Sequence, residues 1–403
     1  MALQNAVNVS IAYAKESTFG TPASAGSSQY IRRVSSSLSL AKEAFASNEV
    51  RTDQQVSDLR HGMRSVTGGI EGELSLQTYD DWLASLLRGT WAAGTSLTNS
   101  QLTSVAASVS SGTFTFGGGD PVALGLRLGD VFRFSTGATG NLNRNFRIVG
   151  FGGTTNRTVT VFPAPAADIA VAVSTFAMAV QGRKLTIGTA KDSYTIEQTN
   201  PDLDNSERYV GVRLNSASIS LPPNGMATVS WDMMGRDGTI LSAASSPYFS
   251  APTAAPNTGI FAGISGGLRV AGAERAVVTA LDFQVANNLS MQGVVGSPIA
   301  PEIFFGRMIL TGNVSAYIED TSLIDAFVAE SEIDIVCQLD LPVVGSSPAD
   351  FMVFNMQRVK FSGFSKTVGP DGGVIATFPF QALLPTAGSG RDASTLVIQR
   401  SNA

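Results

Sequence analysis

Histidine and cysteine carry much of the reaction chemistry open to a protein at neutral pH, and this 403-residue chain has one of each. His61 lies in "DLRHGM", inside a polar stretch. Triad chemistry would need a serine and an acid converging on it, so a solvated loop histidine is the simpler reading. Cys337 sits in "EIDIVCQLDL", alternating with Ile333, Ile335 and Leu339, which reads as a buried strand position. One histidine and one cysteine cannot supply the usual zinc ligand set. "GGGD" (117–120) and "FGG" (151–153) are turn glycines with no Gly-Lys-Ser/Thr after them, so no phosphate loop is spelled. "DLDNSE" (202–207) lacks the glycine and closing glutamate of an EF-hand loop and reads as a solvated loop. The expectation is a protein that is not an enzyme, with no catalytic, cofactor or metal site.

Composition narrows the class further. Charged residues are 15% of the chain, against about 25% in an average domain, and mean hydropathy is +0.15. Such a chain either enters a membrane or buries surface in partners. The longest apolar stretch, "AVAVSTFAMAV" (170–180), falls short of the roughly 20 residues of a spanning helix, and no membrane role is expected. "MALQNAVNVSIAYAK" lacks the layout of a signal peptide, and a single cysteine excludes an intrachain disulfide framework, so synthesis and folding in the cytoplasm are expected. Net charge is −5, and "IRR" (31–33) and "GRK" (182–184) are the nearest approach to a basic cluster, which argues against tight nucleic-acid binding.

The elements that must position any function are short strands. Alternating runs such as "GVRLNSASISL" (211–221), "ATVSWDM" (227–233) and "DVFRFS" (130–135) are separated by turn residues. Asn224-Gly225, Asp237-Gly238 and Asp371-Gly372 read as hairpin or tight turns. Two segments read as helices. "TYDDWLASLLRG" (78–89) begins with a capping Thr78, presents Trp82, Leu83, Leu86 and Leu87 on one face, and stops at Gly89. "DTSLIDAFVAE" (320–330) places Leu323, Ile324, Phe327 and Val328 at the same spacing.

The echo extends beyond the helices. "RSVTGGIEGELSLQTYDDWLASLL" (64–87) matches "RMILTGNVSAYIEDTSLIDAFVAE" (307–330), with Thr67 on Thr311. "RLNSASISLPPNGMATVSWDM" (213–233) matches residues 355–382, with Leu214 on Met356, Ala217 on Val359, Ile219 on Phe361, and "ATVSW" on "ATFPF". From Thr67 to Leu214 is 147 residues, but from Thr311 to Met356 only 45, so the first copy carries about 100 extra residues. These fall at 92–183. They begin Ser/Thr-rich, and "GLRLGDVFRFSTGATGNLNRNFRIVGFGGTTNRTVTVFPAP" reads as four or five short strands, giving a small β-domain inserted at an exposed, solvent-facing loop. Each copy also holds a long excursion without period, 41–66 and 286–308, suggesting one contact surface used twice.

"IAYAKESTFGTPAS" (11–24), "YIRRVSSSLSL" (30–40), "SNEVRTDQQVSDLR" (47–60) and "VTGGIEGELSLQTYDDWLASLLRG" (66–89) together resemble the N-terminal half of major tail tube proteins of long-tailed, non-contractile (siphovirus-type) phages. The resemblance covers 1–90 and 184–240 and extends more faintly over 265–385. It implies a mainly β fold of two tandem β-sandwich or barrel tube modules, each with a short flanking helix. The division it gives is an N-terminal arm (1–29), module 1 (30–91 and 184–250), an inserted β-domain on the tube exterior (92–183), module 2 (260–385) and a C-terminal tail (386–403). The arm and the tail would order only against neighbouring subunits.

The resemblance further implies stacked rings whose inner strands pair across subunits around a channel for genome DNA, which passes without specific binding. Single-module relatives form sixfold rings, so two modules per chain predict a pseudo-hexameric trimer. Tape measure, tail terminator and distal tail proteins are the implied partners, no cofactor is implied, and the mature location is the virion tail. The long loops would reach the adjacent ring through Asn48, Arg51, Asp53, Asp58, Arg60, His61, Pro298 and Glu302. Glu71, Glu73, Glu319 and Asp320, on or beside the inner strands, are the lumen candidates. Rival readings are another phage tail component, such as a distal or adhesin-type protein with a glycan-binding β-domain, a bacterial delivery tube, and a β-sandwich hydrolase.

Overall fold

The computed structural model describes residues 3–264, 266–275, 277–343, 348–368, 371–386, 388 and 390–402. The chain is mainly β, with one large sheet system, a second sheet of eight strands and, among the described residues, two α-helices of seven residues each.

The chain opens with β1 (Ser10–Lys15), β2 (Gln29–Tyr30), β3 (Ser35–Ser36), β4 (Ser39–Ala46) and β5 (Leu59–Glu73), then α1 (Asp80–Leu86). β1 of the N-terminal arm does not wait for a neighbour to order. Ile11, Ala12, Tyr13 and Ala14 of β1 are all buried in this chain's own core, because "IAYA" is apolar on both faces. Residues 41–66, expected as a long excursion without period, are in large part strand. β4 and β5 pair as a long hairpin from Ser39↔Thr67 to Ala46↔Leu59, leaving 47–58 as its irregular tip. Water reaches both faces of the outer part of this hairpin, so it lacks the alternation that marks a half-buried strand.

α1 buries Trp82, Leu83 and Leu86, with Leu87 just past its end, as its spacing predicts. Thr78 does not cap it. The helix starts after Tyr79, and the Thr78 hydroxyl lies 2.7 Å from that of Ser75. At the other end Arg88, not Gly89, takes the left-handed conformation (φ +54°), and the Gly89 amide donates to the Ala84 carbonyl at 2.9 Å. Gly89 is required for another reason: a Cβ there would lie 2.0 Å from the Thr186 carbonyl oxygen.

After β6 (Ala92–Ala93) comes a separate eight-stranded sheet: β7 (Ser96–Thr98), β8 (Leu102–Ser108), β9 (Thr113–Gly118), β10 (Val131–Thr136), β11 (Phe146–Gly152), β12 (Thr158–Phe162), β13 (Ile169–Val173) and β14 (Ala177–Val180). Its order is β13-β8-β9-β12-β11-β10-β14-β7. The glycine-rich part supplies three strands rather than four or five, and the Ser/Thr-rich part supplies three more. β9 and β10 are three strand steps apart, about 14 Å on a flat sheet. The rings of Phe114 and Phe134 are nevertheless 4.9 Å apart, so the sheet curls around its own phenylalanine core.

β15 (Arg183–Thr186), β16 (Tyr194–Asn200), β17 (Asn205–Leu221), β18 (Thr228–Gly235) and β19 (Asp237–Ser242) return to the main sheets. β17 is the spine. Its first half pairs with β16 and β19, and its second half with β18 and β22 (Val278–Ala286). Asp237-Gly238 is not a turn: both residues pair with β17, and Gly238 is small because Tyr209 and Leu40 crowd its Cβ position.

The rest of the chain runs β20 (Gly266–Val270), β21 (Ala273–Glu274), β22, β23 (Ser290–Met291), β24 (Ile303–Phe304), β25 (Ile309–Tyr317), α2 (Ser322–Val328), β26 (Ile333–Asp340), β27 (Phe351–Phe361), β28 (Ser365–Thr367), β29 (Ile375–Ala382) and β30 (Val397–Arg400). Its pairing order repeats the first part. β25–β29–β27–β26–β20–β21 follows β5–β18–β17–β16–β1–β2, β30 flanks β27 as β19 flanks β17, and β22 flanks β25 as β3 and β4 flank β5.

The ladders are displaced by two residues from the sequence match, since Thr228 faces Glu73 whereas Thr377 faces Ser315 rather than Tyr317. An even displacement keeps every side chain on its face. α2 ends as α1 does, with Glu330 at φ +51° and Ser331 N donating to Ala326 O at 2.9 Å. Its expected apolar face is covered less: Leu323 is buried, Phe327 half-buried, and Val328 73% exposed.

One expectation about the periphery is overturned, and another needs an addition. The C-terminal tail holds β30, which pairs with both β15 and β27 and is buried throughout, so it is tied into its own chain. The inserted sheet does not simply face solvent. The Leu128 carbonyl accepts from Asn355 (2.7 Å) and Gln357 (2.9 Å), Val131 packs with Val336, Phe351 and Val353, and buried Arg147 pairs with Glu274.

Candidate channel and assembly surfaces

Alternation gives the large sheet one buried and one open face. In cross-strand register, Ser35 stands opposite Glu71, Glu71 opposite Ser230, Ser230 opposite Ser218, and Ser218 opposite Gln284. The row continues through Thr311 to Gln381 and Lys360. Residues one step away on the same strands, such as Ile70, Trp231, Ala217, Phe283, Leu310 and Phe380, form the core. Trp82 and Trp231 meet edge-to-face at 5.4 Å and lock α1 to the back of the sheet.

The open face is polar and its charge is acidic. Glu71, Glu73, Asp232 and Asp282 lie on it, and among the described residues none has a salt-bridge partner. Hydroxyls and amides serve three of them instead: Ser35 donates to Glu71 at 3.0 Å, Asn215 to Asp232 at 2.6 Å and Ser220 to Asp282 at 2.5 Å. Seven strands pass, from β3 to β29, before Lys360 brings a cation at the far edge. Of the four lumen candidates, Glu71 and Glu73 belong to this face. Glu319 and Asp320 lie beyond the end of β25 in the connection to α2. Asp320 is held below the usual carboxylate range chiefly by hydrogen bonds from Ser322, with Arg275 adding to the effect. Asp232 and Asp282 were missed, although the alternation in "ATVSWDM" places Asp232 on the face of Thr228 and Ser230.

The loop candidates divide between two places. Asn48, Arg51, Asp53, Asp58, Arg60 and His61 are exposed along the outer part of the β4–β5 hairpin. There Arg51 pairs with Asp53 at 3.0 Å, Arg60 pairs with Asp58 at 2.8 Å, and His61 faces Ala44. Pro298 and Glu302 lie at its base. The Pro298 carbonyl accepts from Arg64 N at 2.8 Å, and Glu302 pairs with the buried Arg213. The two long loops therefore differ in shape: one projects, and the other packs back on the chain, with Ala300 and Ile303 fully buried. Exposed apolar side chains accompany the polar ones on the projecting hairpin, namely Phe45, Val50, Val56 and Leu59. Isolated from one another in a polar run, they gave no periodic signal.

Among the described residues, no arrangement for bond-making chemistry accompanies these surfaces. Burial pushes the Cys337 thiol up to about 12, which leaves almost no thiolate at neutral pH. Asp202 of the "DLDNSE" run accepts from the Asn5 amide at 2.8 Å and from the Asn8 side chain at 3.0 Å. Residues 263–267 spell Gly-x-Ser-x-Gly, whose Ser265 lies outside the described residues; the run leads into strand β20, whereas a nucleophile elbow leads into a helix.

No curated protein sequence matches the chain. The family model of phage tail tube proteins matches residues 6–382, nearly the whole length, and the chain belongs to that family, as a structural, non-enzymatic component of the virion tail.

Proposed function

We propose that the chain forms the tube of a long, non-contractile, siphovirus-type tail, and that it carries two tube modules in one polypeptide. Module 1 comprises 30–91 and 184–250, with β1 and β2 of the arm added to its sheets. Module 2 comprises 260–385, with β30 of the tail completing it. Three chains close a ring of six modules, rings stack, and the inserted domain at 92–183 lies on the outside. The observation that carries this reading is the open face shared by both halves, hydroxyl- and amide-rich, acidic, and free of cations from Ser35 to Gln381.

Facing a lumen, that surface repels phosphate weakly and evenly, so that genome DNA slides instead of binding. Three chains with eight inner strands each give a wall about 115 Å around, or roughly 37 Å across before strand tilt widens it. The projecting hairpin, with Asn48, Arg51, Asp53, Asp58, Arg60 and His61 and its exposed Phe45, Val50, Val56 and Leu59, reaches the next ring, while Pro298 and Glu302 brace its base. Tape measure, terminator and distal tail proteins meet the tube inside and at its ends. Negative-stain microscopy of the purified chain tests the class: hollow tubes with a regular axial repeat are expected, and persistent monomers under assembly conditions would contradict it.

A further inference from the structure

We infer that rings close by pairing the outer edge of β27 and β28 of one chain with the outer edge of β3 and β4 of the next, in the register of the β17–β22 junction inside each chain. The inference rests on the two-module reading above. β17 carries β18 and β19 along one edge, and on the other β16 followed by β22. β27 carries β29 and β30 along the corresponding edge and β26 on the other, but beyond Val359 that second edge has no partner among the described residues. β22 is paired on both sides, with β17 and β25. β3 and β4, which stand on β5 as β22 stands on β25, are paired on one side only among the described residues. One chain thus holds one complete junction and the two separated halves of a second.

Unpaired backbone at a sheet edge is a template for another strand, and here each half fits the other. The register comes from the ladders. Ser216 and Ser220 face Asp232 and Thr228, as Lys360 and Ser365 face Gln381 and Thr377. Ala286 and Asp282 face Ile309 and Asn313, as Ser39 and Ser35 face Thr67 and Glu71. The internal pairs Ser216↔Ala286 and Ser220↔Asp282 therefore translate into Lys360 opposite Ser39 and Ser365 opposite Ser35.

The core side agrees. Leu281, which precedes Asp282 at the internal junction, is 2% exposed, whereas Val34, which precedes Ser35 at the free edge, is 64% exposed. A second copy of this chain is the occupant that covers Val34 as β17 covers Leu281.

The test pairs cysteines across the expected junction in the full chain. Ser35→Cys with Ser365→Cys, and independently Ser39→Cys with Lys360→Cys, are oxidised after assembly and run on non-reducing gels beside each single variant. Cα atoms of cross-strand partners lie within disulfide range. Ser220→Cys with Asp282→Cys is the positive control and should close a link within one chain. Tubes in the microscope, with most chains linked into multimers in a double variant and none in the singles, support the assignment. Tubes whose chains stay unlinked in both double variants overturn it and leave the tube function standing. Absence of tubes from the wild-type chain removes the function reading, and this inference falls with it.

Discussion

At the scale of single residues, the open face owes its character to a handful of short polar side chains. Glu71, Asp232 and Asp282 are held by hydroxyls and amides, so their charge is not cancelled locally. Replacing Asp232 and Asp282 together with lysine should leave assembly intact, because both side chains point away from the core. It should slow DNA release from reconstituted particles several-fold, most strongly at low salt, where phosphate–lysine attraction is least screened. Release at an unchanged rate would place this face elsewhere than along the DNA path.

A different trio of charges holds the inserted sheet. Lys184 lies 2.5 Å from Asp130 and 2.7 Å from Asp392, all three side chains largely buried. Lys184→Ala strands two buried carboxylates and should cost about 3–5 kcal/mol in denaturant unfolding. Burial opposes the Lys184 charge, but the two carboxylates override it and raise its pKa above 10.5. For the tyrosines burial is itself the raising cause: Tyr79 goes to about 12, and Tyr13, Tyr194 and Tyr209 further. A raised folded-state pKa contributes stability that is complete below the unfolded value and is lost as pH rises toward the folded one. The melting temperature should therefore fall steeply from about pH 10 upward, and a flat profile to about pH 11.5 would contradict the assigned burial.

At the scale of elements, what could be read in advance depended on whether one face of an element is wet and the other dry. β17, β18 and α1 stand out because each has that asymmetry, and the match between 64–87 and 307–330 survives down to the left-handed residue after each helix, Arg88 and Glu330. The outer part of the β4–β5 hairpin is wet on both faces, and β30 is dry throughout, so neither alternates and both escaped notice. Asp237-Gly238 misled because the same dipeptide suits a turn and a strand crowded by Tyr209. The polar docking of the insert through Leu128, Asn355 and Gln357 has no local sequence signature, since it pairs groups more than 200 residues apart. Deleting Leu396–Ala403 should be severe: Leu396, Val397 and Ile398 are almost wholly buried, each contributing about 1.5–3 kcal/mol, and the cut also frees edges of β15 and β27. Loss of soluble protein on expression is the expected outcome, and a truncated chain that melts like the intact one would show β30 to be dispensable.

At the scale of the whole molecule, a duplicated pairing order explains how a chain without catalytic equipment spends 403 residues. In the proposed ring, two similar units joined at β17–β22 supply two of the six wall segments, and the same junction repeated between chains closes it. The unequal features mark what differs around such a ring. One unit carries the insert, the projecting hairpin and the fully covered helix. The other carries the less covered α2 and the free edge at β27 and β28. Pseudo-symmetry of this kind predicts alternating units around the axis. A cryo-electron microscopy reconstruction of the assembled tube tests this most directly: three chains per ring, with inserted domains at three alternate positions outside six similar wall segments, is the predicted result. Six chains per ring under true sixfold symmetry, with an inserted domain at every wall segment, would contradict it.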